Sequence, residues 1–290
     1  MNQNVGKKYS IENELMITAS IILYNTDLNL LKTIVECASR SCINRIYVID
    51  NSPTNRLQEE SMKLSKKVEY FYGQGNVGYG AGHNIGIKKA IEVGAKYHVV
   101  LNPDIFFPDN TIENLTDYAN SHERIGMLMP NVKYPNGEQQ YLCKLLPSPM
   151  DILGRRVLPK NMIAKRNERY EMRSTGYKNI RNVPCLSGCF MFLNVDVLKK
   201  VGLFDDRFFM YFEDFDLIRR IHKVAMTVFY PKLTIIHNNA KEHRTNKKLL
   251  KISISSAIKY FNKWGWCFDS DRRKWNKEAF DETQVLDDNV

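Results

Sequence analysis

At 290 residues the chain is long enough to bury one large core or two modest ones. Its composition, 43% hydrophobic and 26% charged, is that of an ordinary soluble globular protein and leaves out the fibrous and disordered classes. A formal net charge of +10 and a pI of about 9.2 suit an anionic partner, whether nucleic acid, a phosphorylated substrate or an acidic membrane face, and do not choose among them.

The six cysteines contain no C-x-x-C pair, and the closest, Cys37/Cys42 and Cys185/Cys189, have four and three residues between them. That spacing does not suit a zinc ribbon, and a chain of this length needs no disulfide staples, so reduced thiols in the cytoplasm are expected. Leu15–Tyr24 is a short apolar stretch preceded by Glu12 and Glu14, where a secretory signal would be basic. No run reaches the ~18 apolar residues of a membrane span, so any membrane contact is expected to be peripheral.

Residues 1–14 read as a polar tail. MITASIILYN predicts a buried strand, and Asp27 opens a helix carried by Leu28, Leu31, Ile34 and Val35. RIYVIDN, VEYFY and HVVLN predict three further strands, with a helix near Ala81 between the last two. Such alternation implies right-handed βαβ units and a mostly parallel sheet. Beyond Pro108 come a helix near Thr111–Ala119, a strand near Gly126–Met129 and a Pro-Asn-Gly turn in VKYPNGEQQY. Residues 147–181 carry nine Lys or Arg against three acids and read as irregular, either a surface loop or an amphipathic patch for anionic lipid. VPCLSGCFMFLN predicts a strand interrupted at Ser187-Gly188, followed by a helix entered through FMYFEDFDLIRR. Two short strands, TVFYP and TIIH, precede an amphipathic helical tail from Lys247.

Several stretches offer chemistry. GQGNVG after VEYFY matches G-x-G-x-x-G, but a dinucleotide fingerprint belongs after the first strand with an acid about 20 residues on. The longer run GNVGYGAGHNIG has glycines that let backbone N–H groups approach an anion at a helix N-terminus, with Asn76, His83 and Asn84 between them. Asp50-Asn51-Ser52 ends a strand where α/β sheets bind ligands, and it is also a good turn. Asn102-Pro103-Asp104 is either a turn or a single carboxylate for a divalent cation bridging a diphosphate. Glu213, Asp214 and Asp216 crowd a helix entry behind five consecutive apolar residues, where a carboxylate can act as general base. His237 ends TIIH, with His243 six residues on.

Taken in this order, SIILYN, VIDNS, GNVGYGAGHN, LNPD, the SGC strand, GLFDDRFFMYFEDFDLIRR and a strand-ending histidine resemble a family 2 glycosyltransferase of the GT-A type. The resemblance runs from about Met16 to His237 and is nearest to the bacterial rhamnosyltransferase branch. It implies an α/β fold of Rossmann-like mixed sheet, with a nucleotide-sugar half over 15–110, an acceptor half over 111–245 and a C-terminal helical extension over 246–290. It implies an inverting transfer from a nucleotide-sugar donor, with dTDP-rhamnose the first choice and a UDP-sugar the alternative. The acceptor would be a glycan or lipid-linked glycan in cell-surface polysaccharide synthesis, such as O-antigen or capsule.

Carried over by residue, Tyr24, Asn25, Asp50 and Asn51 would hold base and ribose, and Asn76, Gly78 and Asn84 would border the sugar diphosphate. Asp104 would bind Mg2+ or Mn2+ with His237, Asn102 standing where the family usually has a first acid. Ser187, Gly188 and Glu213 would face the acceptor, Asp214 would be the base, and Asp216 and Arg220 would support its helix or meet substrate. The resemblance implies a cytoplasmic protein, peripheral to the inner membrane face through residues 147–181, and no nucleic-acid partner. The reading from another class is an NAD(P)-dependent oxidoreductase built on GQGNVG.

Overall fold

β1 (Ile17–Leu23) is buried along its whole length, as a continuous apolar strand covered on both faces should be. In this computed structural model, which describes residues 15–157, 159–238 and 247–286, it lies near the middle of a nine-stranded mixed sheet. The 1–14 tail and His243 fall outside those residues. α1 (Leu28–Arg40) follows, capped as expected by Asp27, whose carboxylate accepts from the Asn29 amide at 2.8 Å. β2 (Arg45–Asp50), α2 (Gln58–Leu64), β3 (Val68–Phe71), α3 (Tyr79–Glu92) and β4 (Tyr97–Leu101) complete the parallel part, in spatial order β3-β2-β1-β4.

The second half runs β5 (Ile105–Phe106), α4 (Thr111–Ser121), β6 (Ile125–Lys133), α5 (Pro149–Val157), α6 (Lys160–Tyr170), β7 (Arg181–Asn182), β8 (Phe190–Asn194), α7 (Val195–Val201), α8 (Glu213–His222) and β9 (Met226–His237). β8 is antiparallel to β4 and to β6, and this joins the two halves into one sheet.

Three expectations are corrected. The helix after the glycine-rich turn begins at Tyr79, two residues earlier than expected. Residues 147–181 are not irregular: α5, α6 and a short 3-10 turn at Arg173–Thr175 account for most of them. TVFYP and TIIH form one strand, broken in register only. Pro130 pairs with Tyr230 and the next residue, Asn131, with Thr234, so Pro231, Lys232 and Leu233 are extra on β9. Proline cannot donate to a ladder, and a bulge is one of the few places in a sheet that accommodates Pro231.

The tail is helical, as its pattern predicts, and its two helices, α9 (Lys247–Trp264) and α10 (Ser270–Glu278), pack behind α8. Arg219 of α8 is 1% exposed and makes a bidentate pair with Asp269 at 2.6 and 2.7 Å, its guanidinium lying 4.2 Å from the Trp264 ring centre. Removing one partner of a buried pair strands the other charge, at a cost of about 3–5 kcal/mol. Asp269→Ala is therefore expected to lower the stability measured by urea denaturation by about that much. Arg219→Met/Asp269→Ala should lose less than the single variant; a double variant losing more would refute the stranded-charge account.

Candidate active site

The C-terminal ends of β1 and β2 lie side by side. Asp50 is buried, its Oδ1 accepting from the Ser52 amide at 2.8 Å and its Oδ2 from the Tyr70 hydroxyl. Ser52 Oγ accepts from the amide of Asn25, which takes a left-handed backbone (φ 51°), and Tyr24 beside it is exposed. Asn51 donates to the Gly78 carbonyl at 3.0 Å and accepts from Gln74, which ties this crevice to the start of α3.

The glycines of that start are chiefly matters of close approach. At Gly78 (φ 92°) a Cβ would fall 2.2 Å from the Phe209 carbonyl oxygen, and Tyr79 N donates to the same oxygen at 2.8 Å. Asn76 is exposed, its side chain accepting from Gly78 N at 3.3 Å. Asn84 is buried and its side-chain amide is spent on the backbone of Phe204 and on Asp206, so it positions the segment leading to α8. His83 is a core residue. It is bonded to Ser20, which reaches His98, and burial holds its pKa well below the ordinary histidine value.

After β4 the Asn102 amide N–H donates to the Cys189 carbonyl at 3.0 Å, fixing the NPD turn against β8. His237, at the end of β9, brings Nε2 to 3.4 Å from both Asp104 Oδ1 and Asn102 Nδ2. Its Nδ1 meets Gln140 Oε1 at 3.0 Å, while Gln140 Nε2 donates to the His237 carbonyl at 2.7 Å, so one glutamine holds both the ring and the backbone of this residue. Burial disfavours charge on this ring, but Cys189 and Asp104 beside it outweigh burial and lift its pKa to about 10. Among the described residues no three His, Cys, Asp or Glu side chains converge as a metal cluster. One carboxylate and one imidazole still fit a hard divalent cation whose remaining positions are filled by phosphate oxygens and water.

The Tyr79 hydroxyl lies 2.8 Å from both Asn102 Oδ1 and the Gly188 carbonyl. On the other side of the same residue, Gly188 N donates to Asp214 Oδ2 at 3.0 Å. A Cβ at position 188 would stand 2.9 Å from the Asp214 Cβ, so glycine is needed for this approach. Ser187, partly exposed, accepts from Cys189 N at 3.4 Å. Asp214 is partly open to solvent; burial raises its pKa, while Lys144 and the Gly188 and Phe215 amides hold it down. Glu213 is only 4% exposed, Oε2 has no hydrogen-bond partner, and burial together with Asp214 pushes its pKa well above the usual carboxylate range. Tyr211 and Phe212, entering α8, both adopt left-handed backbone, which non-glycine residues seldom hold without a structural demand.

Asp216 and Arg220 do not meet substrate space. Asp216 is fully buried and accepts from Arg220 Nε, Trp264 Nε1 and Lys263 Nζ, and Arg220 donates to the carbonyls of Val201, Gly202 and Leu203. Both support α8.

The sequence profile described as Glycosyl transferase family 2 matches residues 18–202, well over half of the chain. The chain belongs to this family. It is 28% identical over 217 residues to the N-acetylglucosaminyl-diphospho-decaprenol L-rhamnosyltransferase of Mycobacterium tuberculosis (strain ATCC 25618 / H37Rv), covering 70% of this chain and 68% of that protein. It is 24% identical over 199 residues to the low-salt glycan biosynthesis hexosyltransferase Agl10 of Haloferax volcanii, covering 65% of this chain and 56% of Agl10. Among solved structures, S. aureus TarS 1-349 in complex with UDP aligns at a TM-score of 0.58 and 12% identity, over 91% of this chain and 70% of that one. That likeness shows the GT-A fold.

For a family 2 glycosyltransferase, the oxidoreductase reading falls away. Its G-x-G-x-x-G turn follows β3, at the edge of the sheet, and the loop after β1 carries no such motif. Three residues of this transferase's site escaped the sequence reading: Tyr79, Gln140 and Lys144. Two variants test the geometry. Gly188→Ala should displace Asp214 and lower kcat about 10²-fold, since small misplacements cost that much, with nucleotide affinity retained; unchanged turnover would show that the contact is dispensable. For Glu213, a folded pKa raised above the ordinary 4.5 means that its contribution is fully present below that value and is lost as pH rises toward the folded pKa. Glu213→Gln is therefore expected to gain stability relative to the parent between about pH 5 and pH 8 in thermal melts. Parallel pH profiles would contradict a neutral Glu213.

Proposed function

We propose that this transferase moves a sugar, with L-rhamnose from dTDP-L-rhamnose as the leading donor, to a glycan or lipid-linked glycan acceptor with inversion at the anomeric carbon. The observation that carries the reading is the joint at Gly188. Its amide holds the Asp214 carboxylate on one side, and through Tyr79 its carbonyl meets Asn102, beside Asp104 and His237, on the other. A base and an anion-facing pair are thus tied to the two peptide groups that flank one glycine, an arrangement that suits attack on one side of the sugar and departure on the other. The similarity to a rhamnosyltransferase whose name specifies a diphospho-decaprenol acceptor supports both the donor and a lipid-linked acceptor. The fold shared with TarS, solved with UDP and with UDP-GlcNAc, keeps a UDP-sugar as the second reading.

In this scheme Asp214 takes the proton of the acceptor hydroxyl as that oxygen bonds to the anomeric carbon. The bond from that carbon to the diphosphate oxygen breaks, and its electron pair leaves with the nucleoside diphosphate. Burial gives Asp214 the raised basicity that suits a general base, and the two backbone amides aim its oxygens. Asp104 and His237 would hold Mg2+ or Mn2+, which when bound supplies charge stabilisation for the departing diphosphate. Asp50, Asn51, Asn25 and Tyr24 would receive the nucleoside. No helix among the described residues is long and apolar enough to cross a membrane, and a cytoplasmic site with peripheral contact at the inner membrane face accords with the basic α5–α6 region.

Thermal shift against dTDP-, UDP- and GDP-sugars, with and without Mn2+, tests donor and metal together. Stabilisation by dTDP-rhamnose that depends on Mn2+ and disappears in Asp104→Ala and His237→Ala is the expected result; no response to any nucleotide sugar would overturn the reading. With the donor identified, Asp214→Asn should lower kcat by about 10²- to 10⁴-fold and leave donor affinity intact.

A further inference from the structure

Between α6, the start of α10 and the chain at 145–151 lies a cleft of about 280 Å³ that the transfer chemistry does not use. Four arginines line it, Arg166, Arg169, Arg272 and Arg273, against one acid, Asp151. That acid is already neutralised: Asp151 Oδ1 accepts from Arg166 Nε at 2.6 Å and Oδ2 from Ser148 N and Oγ. Arg272 is buried and donates to the carbonyls of Pro147, Gly265 and Trp266, which fixes the wall. Arg169 and Arg273 are different. Both are exposed, and their guanidiniums lie over the rings of Phe280 and Phe268 with no carboxylate partner among the described residues.

Asp269 caps α10 through the Arg272 amide and lies 3.8 Å from the Arg272 guanidinium, which it offsets. Arg273 has no such partner among the described residues, although it stands in the first turns of α10, where the helix dipole opposes positive charge. Asp271 is turned away toward Lys223 and Arg219 of α8. An anion in the cleft would offset the charge of Arg273. Beside the cleft, the Phe268 ring under the Arg273 guanidinium is 85% exposed.

We infer that this cleft is a second anion site of the transferase, binding a phosphate or diphosphate group through Arg169 and Arg273. Paired guanidinium forks suit phosphate oxygens, and the exposed Phe268 ring beside Arg273 suits a phosphate borne on hydrocarbon. Only the source of that phosphate rests on the lipid-linked acceptor proposed above; the site itself stands on the cleft.

The test compares the full chain with Arg169→Gln/Arg273→Gln, using inorganic pyrophosphate in calorimetry without added metal. In parallel, both proteins are co-sedimented with vesicles of phosphatidylcholine and phosphatidylglycerol. The variant is expected to bind pyrophosphate about tenfold more weakly or worse, the scale of lost charge-assisted hydrogen bonds, and to release the vesicles. Loss of pyrophosphate binding with vesicle binding intact would support the site and assign it a soluble phosphate. Unchanged pyrophosphate binding would overturn it, as would loss of vesicle binding alone, which reduces the arginines to general surface charge. Nucleotide-sugar thermal shifts on the same variant keep the two readings apart: the donor response should survive because neither arginine lies at the donor crevice, and its absence in both proteins would count against the donor reading only.

Discussion

The backbone of Gly188 is the joint on which this site depends. Its N–H fixes the Asp214 carboxylate and its carbonyl receives the Tyr79 hydroxyl, which also reaches Asn102. Two halves of a sheet, joined where β8 runs antiparallel to β4, are thereby locked at a second point within the catalytic crevice. A backbone group is well suited to this task because its position is set by the strand that follows and does not depend on a rotamer. The absence of a side chain at 188 lets a carboxylate close on the peptide directly.

α8 carries charge on two fronts. At its entry Glu213 and Asp214 face the crevice, favoured by the helix dipole and opposed by burial. Behind them Asp216, Arg219 and Arg220 are paired with Lys263, Trp264, Asp269 and the 201–203 carbonyls. Ser256 and Lys259 of α9 also hold the carbonyls of Met210 and Arg207, on the strained approach to Phe212. The C-terminal helices thus act as a backstop for the helix that presents Asp214, which gives the amphipathic tail a mechanical part in holding that carboxylate.

The fold of the first half was legible because its strands are continuous apolar runs and its helices carry local signals such as the Asp27 cap. The positions of Asp104, Asp214 and His237 were legible because each stands where an apolar element stops. Partner choice was not. Asn84, Asp216 and Arg220 have the residue types of ligand-binding groups, yet their hydrogen bonds close on backbone and side chains far away in sequence. Tyr79, Gln140 and Lys144 were overlooked for the converse reason: their neighbours at the site are 23 to 109 residues distant for Tyr79 and 97 for Gln140. The helices of 147–181 were hidden by a composition in which basic residues interrupt the apolar spacing.

The three extra residues on β9 bear on the site through parity. Side chains alternate along a strand, and an odd insertion exchanges its faces. Val228 and Tyr230 before the bulge share one core cluster with Ile235 after it, although an unbroken alternation would set Ile235 on the opposite side. His237 follows Ile235 in phase. The imidazole therefore reaches Asp104 because of a counting irregularity at Pro231–Leu233, and with one residue fewer there Ile236 and Asn238 would take the places of Ile235 and His237.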